Sequence, residues 1–171
     1  LVIAVGDASG QGVQAAMIVQ SVQTLWVRYR SRMEKGVLPF LCSLGQSLYA
    51  LGPQQRLTMS MGLIVIQGHQ IAYYSAGHIP VVIRQGEDLH FLEAKGQPLG
   101  QELNPQFEPS LVTLVGEFQL LLGTEQSLPQ STRGSREAVL RLFNEPQKHL
   151  AQTEDQILVA ISRRAQTQKA A

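Results

Sequence analysis

The chain opens with an apolar run that ends in a glycine-rich acidic turn, and this feature constrains the fold more than any other. Residues 1–5 are all apolar and are followed by Gly6-Asp7-Ala8-Ser9-Gly10-Gln11-Gly12. A short continuous apolar run is typical of a strand that is buried on both faces. Glycines in the turn let the backbone bend sharply and let a ligand approach closely. We therefore expect Asp7 at the tip of a buried strand, where its carboxylate is well placed to hold a cation.

The same turn is compatible with other roles. Asp7 or Ser9 is a suitable cap for a helix that follows a strand and a turn. A dinucleotide-binding loop fits less well, because the pair Gly10-x-Gly12 lies after the carboxylate, and a P-loop is excluded because no Lys-Ser or Lys-Thr follows the glycines. Spacing alone leaves both the cap and an acidic metal loop as hypotheses.

Composition limits the chain to one globular domain. The 171 residues are 44% hydrophobic, with 14 basic and 13 acidic residues and a net charge of +1. This balance argues against nucleic acid or a membrane surface as a partner. A single cysteine, Cys42, excludes an internal disulfide or a cysteine zinc site, and we expect it to be buried.

Neither a transmembrane-length run nor a signal peptide is visible, so a cytoplasmic protein is expected. The chain starts inside a predicted strand and without Met, which indicates a piece of a longer protein.

Two helices are predicted next, from their 3.6-residue apolar period. The first covers about residues 13–33, and the second starts near Pro39 and ends before Gly52-Pro53. Apolar residues of the first helix that share one stripe are predicted to face the core: Ala15, Ile18, Val19, Val22, Leu25, Trp26 and Tyr29.

Hairpins, a helix and a last strand complete the predicted elements. The predicted hairpins pair residues 61–66 with 71–75, 81–83 with 89–92, and 111–115 with 118–122. A helix over residues 135–144 and a strand over 157–161 follow, then a polar tail over 163–171. Hairpins with segregated helices favour an α+β fold with antiparallel sheets.

Five short motifs then follow one another in a fixed order. They are Gly6-Asp7-Ala8-Ser9-Gly10-Gln11-Gly12-Val13-Gln14-Ala15-Ala16, Ala76-Gly77-His78-Ile79-Pro80, Gly96-Gln97-Pro98-Leu99-Gly100, Leu120-Leu121-Leu122-Gly123-Thr124-Glu125-Gln126, and Glu154-Asp155 before the last strand. With these motifs the chain resembles the PPM-type (PP2C-like) protein serine/threonine phosphatases, in their SpoIIE/RsbU-like bacterial branch. The resemblance implies an α-β-β-α sandwich of two antiparallel sheets flanked by helices, over residues 1–162.

The resemblance also implies two divalent cations, Mn²⁺ or Mg²⁺, between the sheets. Asp7 matches the bridging carboxylate of the family, with Gly6 beside it. Asp155 matches the acidic residue before the last strand, and Glu125 stands where the family has the aspartate of a T-D-G motif. The implied metal ligands are Gly6, Asp7, Glu125 and Asp155, with Asp7 and Asp155 catalytic. Oxygen ligands suit these hard cations, which acidify a water molecule and neutralise phosphoryl oxygens.

The chain departs from the family pattern at several positions. Glu125 is one methylene longer than aspartate, Gln126 replaces a glycine, and Gln11 replaces a histidine. The acidic N-terminal strand that precedes the turn in the family is absent from this chain. His78 is interpreted as a turn histidine bonded to the backbone rather than as a catalytic group.

Two functions follow from the resemblance. The first is hydrolysis of phosphoserine or phosphothreonine on a regulatory partner protein in bacterial signalling, for example an anti-sigma-factor antagonist. A sensor or receiver domain upstream is expected to control such an enzyme. The second is a catalytically inactive pseudophosphatase domain that binds a partner, which the Glu125 exchange favours.

Overall fold

Most helices and strands occur where the apolar patterns predict them. The computed structural model describes residues 1–51, 57–124, 136–144 and 157–163. Its helices are α1 (Val13–Tyr29), a 3₁₀ helix (Arg30–Lys35), α2 (Leu38–Ala50) and α3 (Arg136–Asn144). Its strands are β1 (Val2–Ala8), β2 (Met59–Gln67), β3 (Gln70–Ala76), β4 (Val81–Gln85), β5 (Asp88–Leu92), β6 (Lys95–Gly96), β7 (Phe107–Glu108), β8 (Ser110–Thr113), β9 (Phe118–Gly123) and β10 (Leu158–Arg163).

The strands form two four-stranded antiparallel sheets within the described ranges. Sheet A has the order β1-β2-β3-β8 and sheet B has the order β10-β9-β4-β5, while β6 and β7 form a short separate pair. The first two predicted hairpins are confirmed, since β2 pairs with β3 and β4 pairs with β5. Each is closed by a two-residue turn, and such short turns join antiparallel neighbours directly.

The third predicted hairpin is wrong. Strand β8 pairs with β3 in sheet A, whereas β9 lies between β4 and β10 in sheet B. Residues 114–117 therefore carry the chain from one sheet to the other. Leu114 and Phe118, at the two ends of this connection, are both buried between the sheets. Two apolar runs separated by a turn are expected both for a hairpin and for a connection between two sheets, so this pattern did not reveal which strands β8 and β9 pair with.

Three apolar clusters give the molecule its α-β-β-α layers. Alternation along β2 sends Leu63 and Val65 towards α1 and α2, and sends Ile64 into the space between the sheets. On the far side of sheet B, Val82 and Leu121 pack against α3. The predicted α+β sandwich is thereby confirmed.

Several burial predictions are wrong in detail. Strand β1 is not buried on both faces, since Val5 is its only buried residue. Within the described residues, β1 is an edge strand of sheet A. Val19 was assigned to the core stripe of α1 but is 46% exposed. Cys42 is partly exposed rather than buried.

The first helix is also shorter than predicted. The α-helix ends at Tyr29 and continues as the 3₁₀ helix to Lys35, where Gly36 terminates it with φ 149°. Among the helices that the structure describes, none is long and apolar enough to cross a membrane.

Candidate functional site

Asp7 lies at the open end of the space between the two sheets. Ile3 and Val5 of β1 both contribute to the core between the sheets. Because side chains alternate along a strand, Asp7 belongs to the same face. It is the second-last residue of β1, pairs with Ser60 of β2, and is exposed. The strand therefore carries a carboxylate to the rim of the sandwich, as the sequence predicts.

The turn after Asp7 is held by Thr58, the residue before β2, rather than by capping side chains. The backbone N–H of Ser9 donates to the carbonyl of Thr58 at 2.8 Å, and the N–H of Thr58 donates to Ser9 Oγ at 2.9 Å. Gly12 is the N-cap of helix α1, and among the described residues no side chain forms a capping hydrogen bond at this end of the helix. The hypothesis that Asp7 or Ser9 caps the helix is therefore wrong, and the Ser9 hydroxyl instead anchors the turn.

Three of the sequence motifs meet beside this turn. Met59, next to Thr58, exchanges two backbone hydrogen bonds with Leu99, at 3.1 and 2.9 Å. The N–H of Gly77 donates to the carbonyl of Gly96 at 2.8 Å. The loop over residues 96–100 is thus tied both to β2 and to the turn that leaves β3. These motifs contribute backbone contacts that support the Asp7 end of the molecule.

His78 is hydrogen-bonded within the turn between β3 and β4, as predicted. Its backbone N–H donates to Ser75 Oγ at 2.9 Å, and that hydroxyl donates to the His78 carbonyl at 2.9 Å. The ring atom Nδ1 lies 3.1 Å from the carbonyl oxygen of Ile79, which can only accept, so Nδ1 carries the proton in this bond. The buried hydroxyl of Tyr73 donates to the same carbonyl. Burial raises the pKa of Tyr73 well above its usual value near 10.

In sheet B, a hydrogen-bonded pair closes the end of β9 against the start of β10. The N–H of Thr124 donates to the carbonyl of Ile157 at 2.9 Å, and the N–H of Ile157 donates to Thr124 Oγ1 at 3.2 Å. Thr124 is buried, at 3% exposure. Glu125 and Asp155 flank this pair in the sequence and lie outside the described residues.

Both sheets present these strand ends at the same end of the sandwich. Strand β3 ends at Ala76 beside Met61, and the chain then crosses to sheet B at Val81. The start of β4 lies next to the end of β9, since Val82 pairs with Leu121. Asp7 and the Thr124–Ile157 pair therefore share one end.

The donor chemistry at this end fits hard divalent cations. Within residues 1–51, 57–124, 136–144 and 157–163, no group of three His, Cys, Asp or Glu side chains is arranged to hold a metal ion. Asp7 is an exposed carboxylate on the face between the sheets, and the other two predicted side-chain ligands are also carboxylates. Oxygen donors of this kind suit Mg²⁺ and Mn²⁺. The ligand set remains a prediction.

Sequence reasoning overlooked the residues that surround His78. Tyr73, Ser75 and Gly62 were predicted only as members of strands. A signal was present, because Ser60 and Gly62 are small residues on alternate positions of an otherwise large apolar strand. Such a pattern indicates that something approaches that face of the strand closely.

The fold is similar to that of known phosphatases. The SiaA-PP2C domain of Pseudomonas aeruginosa matches with a TM-score of 0.70 and 18% identity, over 96% of this chain and 75% of that chain. The catalytic domain of the serine/threonine protein phosphatase PstP, in complex with two manganese ions, matches with a TM-score of 0.65 and 13% identity, over 94% and 86%.

A third structure comes from a longer protein. The RsbU and RsbW domains of Rv1364c from Mycobacterium tuberculosis match with a TM-score of 0.63 and 22% identity. The match covers 81% of this chain and 41% of that chain, so the chain spans less than half of this relative's length. No curated protein sequence matches the chain.

A family model accounts for almost the whole sequence. The model of Stage II sporulation protein E (SpoIIE) matches residues 1–170. This match includes the acidic turn, the histidine turn and the last strand, and the PP2C-type fold agrees with it. The chain therefore belongs to the SpoIIE family.

Proposed function

We propose that the chain is a metal-dependent protein serine/threonine phosphatase domain that dephosphorylates a regulatory partner protein in bacterial signalling. The observation that carries this proposal is the shared end of the two sheets, where Asp7 and the Thr124–Ile157 pair lie. Glu125 follows Thr124 directly, and Asp155 precedes Ile157 by two residues. We therefore propose that Asp7 from sheet A meets Glu125 and Asp155, which adjoin β9 and β10 of sheet B in the sequence, as a site between the sheets requires.

The proposed ligands of two Mn²⁺ or Mg²⁺ ions are Asp7, Glu125, Asp155 and the main chain of Gly6. When bound, the ions acidify a water molecule and neutralise the oxygens of a phosphoryl group. The chain's own contribution is to hold its carboxylates in place. Hydrogen bonds from the Ser9 turn to Thr58 fix the backbone next to Asp7, and Thr124 fixes the backbone next to Glu125.

The proposed partner is a phosphorylated regulatory protein of the anti-sigma-factor-antagonist type. Membership in the SpoIIE family supports this choice, as does the fold shared with the RsbU-containing structure. Asp7 is exposed at the rim, so a phosphorylated side chain on a folded protein has access to it. A sensor or receiver domain upstream in the same polypeptide is the proposed source of control.

A pseudophosphatase domain is the second candidate. It is favoured by Glu125 and Gln126, which replace the aspartate and glycine of the family's T-D-G motif. A longer side chain shifts the carboxylate, and a misplacement of about 1 Å can reduce a rate roughly a hundredfold.

Phosphate release from a phosphoserine peptide, measured against Mn²⁺ concentration, tests the proposal. We expect weak, Mn²⁺-dependent release by the chain, because Glu125 departs from the family pattern. The variant Asp7→Asn should abolish this release without unfolding the chain, since it removes a ligand charge and almost no volume. The variant Asp88→Asn is the matched control, because Asp88 is exposed at the opposite end of sheet B.

Three outcomes separate the candidates. Loss of release in Asp7→Asn, with full release in Asp88→Asn, supports the phosphatase. Unchanged release in Asp7→Asn contradicts the metal site. Mn²⁺ binding that depends on Asp7, without release from any phosphopeptide, supports the pseudophosphatase.

A further inference from the structure

The ring of His78 fills the space between the two sheets near Asp7. A Cβ atom added at Gly62 of β2 would lie 2.7 Å from His78 Nδ1 and 3.0 Å from Leu122 Cδ1. Contacts below 3.0 Å are essentially never seen for real Cβ atoms. The imidazole therefore lies directly on the backbone of sheet A, at a point that a side chain of sheet B also reaches. Gly62 is required here because any side chain would displace the ring or Leu122.

The orientation of this ring is fixed by the turn that carries it. The main chain of His78 exchanges two hydrogen bonds with the Ser75 hydroxyl. Nδ1 contacts the Ile79 carbonyl at 3.1 Å and the Tyr73 hydroxyl at 3.3 Å. Ser75 and Tyr73 belong to β3, next to β2 in sheet A. The ring is thus held by strand β3 and its own turn, and it lies against Gly62 of β2.

Gly62 is adjacent to the site on the same face of the sheet. Gly62 pairs with Val5, and Ser60 pairs with Asp7. Successive residues on one face of a strand are about 6.8 Å apart, so the ring contacts sheet A one position from the Asp7 pair. On the other side, Leu122 precedes Glu125 by three residues. At Gly62, β2, the strand that pairs with β1, therefore meets β9, the strand that precedes Glu125.

We propose that His78 is a positioning residue that sets the distance between sheet A and sheet B at the metal-binding end. The proposal rests on the proposed function, because it concerns the geometry of the same site. Ligands on two different sheets keep their mutual distance only if the gap between the sheets is fixed. The ring lies against Gly62 of sheet A, and Leu122 of sheet B reaches the same point, so the ring helps to fix this gap. We expect its removal to weaken metal binding by about 10–100-fold, the range typical of residues that orient metal ligands.

The test combines two single variants with their double variant. His78→Ala leaves a void between the sheets, and Gly62→Ala pushes the ring out of place. We expect each to weaken Mn²⁺ binding by about 10–100-fold in calorimetric titrations of the 171-residue chain. In Gly62→Ala/His78→Ala the new methyl group occupies part of the void. The double variant should therefore bind Mn²⁺ more tightly than either single variant, and in EDTA it should unfold at a higher temperature than the sum of the single shifts predicts.

His69→Ala is the matched control. His69 also uses Nδ1 to contact a backbone carbonyl, that of Leu114 at 3.2 Å, but it lies in the turn between β2 and β3 at the opposite end of the sandwich. We expect its Mn²⁺ affinity to stay within about twofold of wild type. A loss in His69→Ala equal to that in His78→Ala would overturn the proposal, because general destabilisation would then explain both.

A smaller replacement guards against a variant that does not fold. His78→Asn keeps a side-chain N–H for the Ile79 carbonyl but lacks the full ring. It should weaken Mn²⁺ binding less than His78→Ala, and equal affinity in His78→Asn and wild type would overturn the proposal. If the wild-type chain binds no Mn²⁺, the proposed function fails instead. The unfolding temperatures in EDTA then decide on His78, and strictly additive shifts in the double variant would overturn its role.

Discussion

At the scale of single residues, the turn between β3 and β4 depends on one carbonyl oxygen that accepts two hydrogen bonds. The Tyr73 hydroxyl and His78 Nδ1 both donate to the carbonyl of Ile79. Tyr73 is fully buried, and burial raises its pKa because the phenolate loses its hydration. The phenol therefore stays protonated in the folded chain, and its O–H group continues to donate to the Ile79 carbonyl.

Replacement of Tyr73 by Phe should reveal the raised pKa of Tyr73 as a pH dependence of the free energy of unfolding. At pH 7 we expect Tyr73→Phe to lower the free energy of unfolding by about 1–2 kcal/mol, because a buried hydrogen bond is lost. Above pH 10 the unfolded wild-type chain releases the phenolic proton while the folded chain retains it, so wild type loses stability as pH rises. The advantage of wild type should then shrink by about 1.4 kcal/mol per pH unit.

Urea unfolding of both proteins between pH 7 and pH 11 measures this difference. Other groups that titrate in this range are common to the two proteins and cancel. A stability difference that stays constant from pH 9 to pH 11 would contradict a raised pKa at Tyr73.

Sequence alone predicted some of these residues and not others. The position of Asp7 at a strand end was predictable because an apolar run stops at glycines there, while its role as a metal ligand stays a prediction. His78 was predictable as a turn residue, since glycine and proline surround it. Tyr73 was not, because tyrosine is common in strands and nothing local shows that its hydroxyl meets a carbonyl six residues later. Ser9 was misassigned as a possible cap because its partner, Thr58, is distant in sequence.

At the scale of elements, the loop over residues 96–100 packs closely against α2 and the segment just before β2. Gly100 has φ 82°, and a Cβ there would lie 2.2 Å from the Leu57 carbonyl oxygen and 2.9 Å from Leu48 Cβ. Both Leu48 and Leu57 are buried. The loop therefore requires glycine for its backbone conformation and for its close approach.

A pair of glycine variants should separate these two requirements. Gly86, in the turn between β4 and β5, has φ 59° and nothing within 4 Å of an added Cβ. Gly86→Ala should cost about 1–2 kcal/mol of unfolding free energy, from backbone strain alone. Gly100→Ala should cost about 3–4 kcal/mol, because displacement of packed neighbours adds to the strain. Chemical denaturation of both variants measures the costs, and equal losses would show that the close contact is unimportant.

The strand pairing shows where local patterns stop being informative. Hairpins β2–β3 and β4–β5 were predictable, because a two-residue turn leaves antiparallel pairing as the simple solution. The segment from β8 to β9 has the same kind of pattern around Gly116, yet its strands join different sheets. Leu114 and Phe118 are buried in either arrangement, so burial alone does not select one. Contacts between residues distant in sequence decide that β8 pairs with β3 and that β9 pairs with β4 and β10.

At the scale of the whole molecule, the proposed activity depends on two sheets that bring ligands to one end. The family resemblance predicts that Asp7, Glu125 and Asp155 meet at one end. The described strands bring Asp7 and Thr124 to one end, and the ligand set stays a prediction. Residue order alone did not predict the position of β1 relative to β9, because the two strands lie in different sheets and no local sequence pattern connects them. The position of a carboxylate relative to its neighbours depends on the gap between the sheets, which is a property of the full core.

Glu125→Asp is the substitution that tests this geometry in the whole domain. Aspartate shortens the side chain by one methylene and restores the residue of the family's T-D-G motif. If the backbone around Thr124 follows the family, the shorter carboxylate should bring its oxygens to the metal distance. We therefore expect Mn²⁺-dependent phosphate release from a phosphoserine peptide to rise at least about tenfold, since a misplacement of about 1 Å can cost about a hundredfold.

The control is the same exchange at the other end of the same strand. Glu117 precedes β9 and is exposed, whereas Glu125 follows β9, so Glu117→Asp alters an equivalent side chain far from Asp7. Release by Glu117→Asp should equal that of the parent chain. A gain in Glu125→Asp that disappears when Asp7→Asn is added would tie both carboxylates to one site and identify the domain as a phosphatase slowed by a single methylene. Tight Mn²⁺ binding by Glu125→Asp without any release would instead favour the pseudophosphatase, because the ligand set would then be complete and hydrolysis still absent.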